Sequence, residues 1–247
     1  MKEKKKLWKA HVVAIMGFVV LGALALGSAT APPEQEVEVV FVGVPVPAPE
    51  DFIWAMPPHV ADGNGIRLIG YRGLARHVDI PHAHLGRLVT EIGPRAFEVG
   101  VHLTSVTIPD SVIHILDRAF ANNRLMHVTI PNGVVSIWDH AFDMNILTSI
   151  TIPDSVIHIG YGAFANNPTL TSVTIGNGLG LLSEDVFSGG SLRNVTQISI
   201  GANVRLNSAE PSNLVWSGFR AAYEANGHRA GIYILNPNTG QWTWTPR

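Results

Sequence analysis

The chain has 247 residues, enough for one or two ordinary domains, and its 17 Lys and Arg against 19 Asp and Glu leave a formal net charge of −2. This balance argues against nucleic acid as the partner, because proteins that bind nucleic acid present a strongly basic face. The sequence contains no cysteine, which excludes disulfides, thiolate metal sites and cysteine nucleophiles.

The N-terminus has the features of an export signal. The segment MKEKKKLWK contains five lysines, residues 12–26 are uncharged and apolar, and small residues follow at 27–31. This order is typical of a secretory signal peptide, although the apolar run also approaches the roughly 17–25 residues that span a bilayer. We therefore predict that residues 1–29 are a cleaved signal peptide or a membrane anchor. The remainder is then secreted or on the cell surface, and membrane-anchored in the alternative case.

Two short segments precede the main part of the chain. Residues 30–50 contain five prolines and no helical period, which predicts an extended linker. Residues 51–73 combine an apolar run, a dense turn signal at 62–65 and an alternating stretch at 66–71, which together predict a β-hairpin. We expect this hairpin to cap the end of the following array, which would otherwise expose apolar side chains and open strand edges.

The centre of the chain repeats one phrase. Residues 103–120 read LTSVTIPDSVIHILDRAF, and related copies occupy 125–142, 147–164 and 170–187. An irregular first copy precedes them. The last residue of the motif recurs at intervals of 23, 22, 22 and 23, at Phe97, Phe120, Phe142, Phe164 and Phe187. A fixed period in this range predicts a solenoid, and we assign about five coils to residues 74–206.

Each coil is predicted to form two walls. The alternation in L-x-x-V-x-I marks a strand with Leu103, Val106 and Ile108 facing inward, and Pro109 ends it. Ala119 and Phe120 return to the core, on a tight helical or 3₁₀ turn. Asn123, Asn145 and Asn167 each follow the motif's Phe by three residues, and we expect their amides to bond the backbone where the chain turns.

This consensus resembles the BspA-type, or Treponema-type, leucine-rich repeat of bacterial surface proteins. The resemblance covers roughly residues 66–200. Departures are local: Leu116, Trp138 and Ser183 stand where Gly93 and Gly160 occur, and Gly176 replaces the proline. The family implies a β-rich α/β solenoid, a right-handed stack with a parallel sheet on its concave wall. It also implies adhesion to host matrix proteins, to cells or to other bacteria.

Residues 207–247 are predicted to form a C-terminal cap. The stretch WSGFRAAYEAN reads as a short helix, and residues 232–234 and 241–244 read as a hairpin. Trp216, Trp242 and Trp244 fall in this tail. We interpret them as the buried core of the cap, with an aromatic platform for sugars or another partner as the alternative.

The sequence offers little reactive chemistry. His77, Asp79, His82 and His84 could hold a metal only weakly, because their spacing matches no standard zinc pattern. His114 and His158 occupy the same place in two coils, so we expect them to stack on the outer wall with Ser136 between them. No known catalytic motif occurs. We therefore assign no catalytic residue, no metal and no cofactor.

The outward positions of the concave strands are the predicted partner-binding face. One row comprises His77, Ser105, His127, Ser149, Ser172 and Gln197, and its neighbour comprises Asp79, Thr107, Thr129, Thr151, Thr174 and Ser199. Met126 and His127 break the Thr/Ser pattern and are the predicted hot spots. The predicted function is an exported, non-catalytic protein that binds a protein or glycan outside the cytoplasm. The alternatives are a structural or assembly module of the cell envelope and, less favoured, a metal-dependent enzyme.

Overall fold

The computed structural model describes residues 45–57, 65–98, 102–202, 204–206 and 214–246. The predicted signal or anchor segment and most of the linker lie outside these residues. Within the described ranges, no helix is long and apolar enough to cross a bilayer.

Short strands dominate the architecture. In chain order they are β1 Phe52–Ala55, β2 Gly65–Tyr71, β3 His77–Asp79, β4 Ala83–His84, β5 Arg87–Ile92, β6 Ser105–Thr107, β7 His114–Ile115, β8 Ser136–Ile137, β9 Ser149–Ile152, β10 His158–Ile159, β11 Ser172–Ile175, β12 Leu181–Leu182, β13 Gln197–Ile200, β14 Arg205–Leu206, β15 Gly231–Leu235 and β16 Trp242–Thr245. The α-helix α1 spans Leu214–Ala225, and 3₁₀ helices span Pro49–Asp51, Glu184–Phe187 and Ser191–Asn194.

Successive coils stack in parallel and build two walls. The first, which we call the Thr/Ser wall, consists of β3, β6, residues 127–130, β9, β11 and β13. The second, the opposite wall, consists of β2, β5, β7, β8 and β10. Strands β12 and β14 pair separately as the last coils close. The predicted solenoid of parallel stacked strands is confirmed.

A column of phenylalanines fills the space between the walls. Consecutive rings from Phe97 to Phe187 lie 5.1, 5.2, 5.3 and 5.9 Å apart between centroids. Each is at most 1% exposed. The ring spacing follows from the spacing of neighbouring strands, about 4.8 Å, because each coil contributes one ring. The period of the motif's last Phe in the sequence is therefore the period of the core.

The predicted asparagine ladder is present at one corner of the coils. The side-chain amide of Asn145 donates to the carbonyl oxygens of Phe120, Phe142 and Asp143 at 3.0–3.3 Å. Its Oδ1 accepts from the Leu125 N–H at 3.1 Å. Asn123 and Asn167 repeat this pattern. These amides pair backbone groups that would otherwise be buried without partners.

The tight turn before each Phe uses a left-handed residue. Arg95, Arg118, His140 and Gly162 occupy the same place in four coils, with φ of 57°, 55°, 56° and 62°. The expected 3₁₀ geometry occurs in the last copy, at Glu184–Phe187, whereas the regular coils form turns. A non-glycine residue in this region costs about 1–2 kcal/mol, so the stacking of the coils must impose the conformation.

The Thr/Ser wall is not one continuous ladder, contrary to the expectation of a strand in every coil. Residues 127–130 form no strand, and Val128 is only partly buried. In other coils a threonine N–H and hydroxyl both bond a carbonyl of the preceding coil, as Thr104 does to Arg76 at 2.8 and 3.2 Å. Thr148 and Thr171 repeat this clamp. Met126 has no hydroxyl, and within the described residues it makes no such bond to the preceding coil, where β6 has no strand partner in residues 127–130.

Antiparallel elements flank the parallel stack at both ends. Strand β1 pairs with β2, and the rings of Phe52, Tyr71 and Phe97 extend the aromatic column at 5.2 and 5.5 Å. At the other end β15 adds to β13, and β16 adds to β15. The proposed domain boundaries remain predictions.

The C-terminal tail has an aromatic core of its own. The ring of Phe219, in α1, lies 5.4–5.6 Å from the rings of Trp216, Tyr233 and Trp242. Trp216 is 1% exposed, and Trp242 and Trp244 are partly buried against the core. Trp216 packs as the capping interpretation expects, whereas Trp242 and Trp244 keep part of their surface exposed.

Candidate binding surfaces

The structure places the predicted outward rows of the Thr/Ser wall in register. His77 and Asp79 lie opposite Ser105 and Thr107. Ser149 of β9, Ser172 of β11 and Gln197 of β13 are neighbours in one row. Thr151, Thr174 and Ser199 are neighbours in the next row. His127 and Thr129 lie where the ladder parts and have no paired neighbour in it. Sequence spacing therefore predicted the rows, but not their interruption.

Exposure differs along these rows. The exposed members are His77, Asp79, Thr107, Met126, His127, Thr129, Ser149 and Thr151, and the half-buried members are Ser105, Ser172, Thr174 and Gln197. Ser199 is the exception, at 4% exposure. It lies opposite Ile232 where the C-terminal hairpin joins the sheet. The predicted partner contact at Ser199 is therefore wrong for this arrangement, because its side chain is buried.

The irregular first coil brings a serine, a histidine and an aspartate together. His77 Nδ1 is in hydrogen-bond contact with Ser105 Oγ, and His77 Nε2 lies 3.9 Å from Asp79 Oδ1. The side chains of His77 and Asp79 are well exposed, at 65% and 72%, so solvent screens their interaction. Among the described residues no group of three His, Asp or Glu could hold a metal ion.

A shallow cleft opens beside the hydroxyl rows of β9 and β11. Its volume is about 480 Å³, and it is lined by Asn132, Thr151, Ile152, Pro153, Asp154, Ser155, Thr174 and Gly176. Asp154 Oδ1 accepts the Asn177 N–H at 2.7 Å. Hydroxyls, an amide and one carboxylate line an otherwise neutral recess, which suits hydrogen bonding better than charge recognition.

The opposite wall carries a different outward row. Glu91, His114, Ser136 and His158 are in register on neighbouring strands, which confirms the predicted stack of the two histidines around Ser136. His114 Nδ1 lies 2.7 Å from Ser136 Oγ. Arg67 forms an ion pair with Glu91, with 2.6 Å between Nε and Oε2.

A second cleft, which the residue patterns did not predict, lies over this row. It measures about 280 Å³ and is lined by Arg67, Glu91, His114, Leu116, Asp117 and Trp138. The sequence signal for this cleft was the departure at Trp138, which stands where Gly93 and Gly160 occur in other coils.

Two tyrosines of the C-terminal tail have perturbed acidity. Burial raises the pKa of Tyr223 and of Tyr233 above their usual value, which favours the neutral phenols.

Solved structures similar to this chain are leucine-rich repeat proteins. A leucine-rich repeat protein of T. pallidum is 27% identical, with 65% of this chain and 85% of that chain covered and a TM-score of 0.50. The pneumococcal vaccine antigen PcpA is 20% identical, with 66% and 48% covered and a TM-score of 0.47. A leucine-rich cell surface protein of Faecalibacterium prausnitzii is 16% identical, with 63% and 70% covered and a TM-score of 0.30.

No curated protein matches the chain significantly. The family model that does match describes a BspA type leucine rich repeat region, with 6 copies over residues 90–208. These residues contain the phenylalanine column, the asparagine ladder and most of both walls. The predicted family is confirmed over these residues: they form a BspA type leucine rich repeat region.

Proposed function

We propose that this is an exported, non-catalytic binding protein that docks a partner on its Thr/Ser wall. The observation that carries the proposal is the register of Ser149 and Thr151 with Ser172 and Thr174. The side chains of Ser172 and Thr174 alternate along β11 with the buried Val173 and Ile175, so they face away from the core. The fold needs a core residue at alternate positions only, which leaves the outward hydroxyls available for a partner.

The chemistry of this face supports weak or multivalent binding. Interfaces usually gain most of their affinity from a few buried aromatic or arginine anchors, and the outward rows contain neither. Many copies displayed on one cell would compensate through avidity, which is the situation in adhesion. A protein or a glycan of complementary shape would meet a flat, nearly neutral surface rich in hydroxyl groups.

Residues 126–130 supply the predicted hot spot within that face. Met126 is 48% exposed and His127 is exposed. Residues 127–130 take no part in the strand pairing of the described wall, so backbone donors and acceptors are available in addition to the side chains.

The test is binding of the full-length protein to immobilised matrix proteins, to whole cells and to glycans. Ser149→Lys/Thr151→Lys places two cations on the exposed face of β9. We expect this variant to lose roughly tenfold or more in affinity for any partner on the Thr/Ser wall. Its stability should change little, because both positions are exposed.

A charge-matched control uses Ile157, next to β10 of the opposite wall, and Leu181 in the separate strand β12. Ile157→Lys/Leu181→Lys adds the same two cations at positions that are 63% and 53% exposed, and it should bind as the parent does. Equal loss in both variants would indicate non-specific repulsion and contradict the proposal. Recovery of only the cell's own envelope proteins in a pulldown would favour the structural or assembly alternative.

A further inference from the structure

We propose that the cleft on the opposite wall is a saccharide-binding site, with Trp138 as the stacking platform for one neutral pyranose ring. This site is separate from the Thr/Ser wall and does not depend on it. The cleft of about 280 Å³ draws its lining from the N-terminal hairpin and three successive coils, through Arg67, Glu91, His114, Leu116, Asp117 and Trp138.

Trp138 is not explained by the packing of the repeat. Gly93 and Gly160 occupy the equivalent place in other coils, so stacking requires no side chain there. The indole is 43% exposed although it is among the largest side chains of the coil. Aromatic residues, tryptophan among them, are enriched at binding interfaces relative to the rest of the protein surface.

The indole is held in a fixed orientation. Its Nε1–H donates to Ser136 Oγ at 2.9 Å. The ring of His158 meets it edge-on, with centroids 5.7 Å apart at 65°. A platform fixed on two sides loses little entropy when a ligand stacks on it, which favours binding.

The polar groups of the cleft are also held in place. Glu91 is only 5% exposed and is paired with Arg67. The side chain of Arg67 occupies space left by a glycine, since a Cβ on Gly93 would lie 3.1 Å from Arg67 Cδ. A buried ion pair of this kind orients both groups, so that guanidinium donors and carboxylate acceptors stand ready at the cleft.

The serine between the two rings contacts both of them. Ser136 Oγ accepts from Trp138 Nε1–H and lies 2.7 Å from His114 Nδ1. The cleft thus offers guanidinium donors from Arg67, an imidazole from His114 and carboxylate acceptors from Glu91 and Asp117.

This combination fits a neutral sugar better than an ion. Arg67 compensates Glu91, so Asp117 is the one uncompensated charge among the lining residues. An anion would meet two carboxylates, and a bound cation would have a single aromatic face where such cations favour several. A pyranose has an apolar C–H face for the indole and hydroxyl groups that both donate and accept.

The test is binding of neutral oligosaccharides to the full-length protein. The probes are hexamers of β-1,4-glucose, α-1,4-glucose and β-1,4-N-acetylglucosamine, followed by calorimetry and by tryptophan fluorescence. We expect at least one hexamer to bind and to change the emission. Trp138→Ala should weaken that binding roughly tenfold or more, Trp138→Phe should retain part of it, and Asp117→Asn should weaken it less than Trp138→Ala.

Tyr161→Ala is the matched control, because it removes an aromatic ring that is 56% exposed on the next coil and lies outside the cleft. It should leave oligosaccharide binding unchanged. Absence of binding by all three hexamers would overturn the proposal, as would binding that Trp138→Ala does not alter. Neither result would affect the Thr/Ser wall, which is tested with other partners and other variants.

Discussion

On the Thr/Ser wall neighbouring coils place Ser149 beside Ser172 and Thr151 beside Thr174, whereas the opposite wall places Glu91 beside His114 and His114 beside Ser136. The same stack of coils supports both rows. The first row makes an almost uniform surface, and the second makes a cleft with charge, imidazole and indole. Uniform rows suit a large partner that touches many coils, while a cleft suits a small ligand that touches three.

The difference shows where a repeat is free to vary. Inward positions such as those of Phe120 and Val112 are buried in every coil, because each must match the coil above and below. Outward positions have no such constraint. A single departure, Trp138 for glycine, is therefore enough to change one surface without disturbing the stack.

The largest effect is expected from the core that both walls share. Phe120→Ala should destabilise the protein by about 3–5 kcal/mol, because the ring stacks between Phe97 and Phe142 and is 0% exposed. Urea unfolding monitored by circular dichroism measures the change. Thr129→Ala, on the exposed row, is the control and should stay within about 0.5 kcal/mol. A loss below about 1 kcal/mol for Phe120→Ala would contradict the assigned register.

Removing one amide of the asparagine ladder should also lower the stability of both walls. Asn145→Ala leaves the Leu125 N–H without its side-chain acceptor and removes one of the two amide donors to the Phe120 carbonyl, which keeps Asn123. We expect a loss of roughly 1–3 kcal/mol, the cost of an unpaired buried group. The same unfolding experiment measures it, with the exposed Asn132→Ala as control. If the two variants were equally stable, the ladder would not be needed at the corner.

Alkaline pH should loosen the C-terminal hairpin. Burial raises the pKa of Tyr223 and of Tyr233, so the native state favours the neutral phenols. Their contribution to stability is present below pH of about 10 and is lost as the pH rises through the raised values. The C-terminal hairpin extends β13, so loosening it should expose the Thr/Ser wall at that strand, which hydrogen exchange would detect.

Phenylalanine variants test that prediction. Tyr223→Phe/Tyr233→Phe should move the alkaline transition to higher pH, although it loses the bonds from these hydroxyls to the carbonyls of Gly201 and Arg229. Tyr161→Phe, at an exposed position, should leave the transition where it is. The tyrosine explanation fails if the double variant and the parent lose the hairpin at the same pH.

The smallest effect on stability is expected from restoring the missing hydroxyl at Met126 in the Thr/Ser wall. It is also the change that distinguishes the two walls most directly. Met126→Thr supplies the hydroxyl that clamps Thr104, Thr148 and Thr171 to the preceding coil. We expect a gain of about 0.5–1.5 kcal/mol and slower amide exchange at residues 127–130. Met126→Leu, which has no hydroxyl, should show neither. Slower exchange in both variants would point to packing and not to the clamp.

Most of the fold followed from spacing. The intervals of the phenylalanines predicted the column, the alternation around Val106 and Ile108 predicted the Thr/Ser wall, and Asn145 was expected at the corner. The break at Met126 was not predicted, because it depends on a hydroxyl that reaches between coils. The cleft on the opposite wall was not predicted either, because Arg67, Glu91 and Trp138 are distant in sequence and meet only when the coils stack.

The sequence by itself determined the period, the buried positions and the family, because a stacked coil must repeat whatever its neighbours pack against. The tertiary structure decided which outward residues become neighbours and which become inaccessible. Ser199 illustrates this: its place in the row predicts exposure, yet the hairpin β15–β16 buries it. Trp138 is the converse case, a departure in one coil that lines a cleft only beside residues of the two preceding coils and the N-terminal hairpin. What covers an outward row, or lines a cleft beside it, depends on residues far away in the sequence, and local spacing does not contain it.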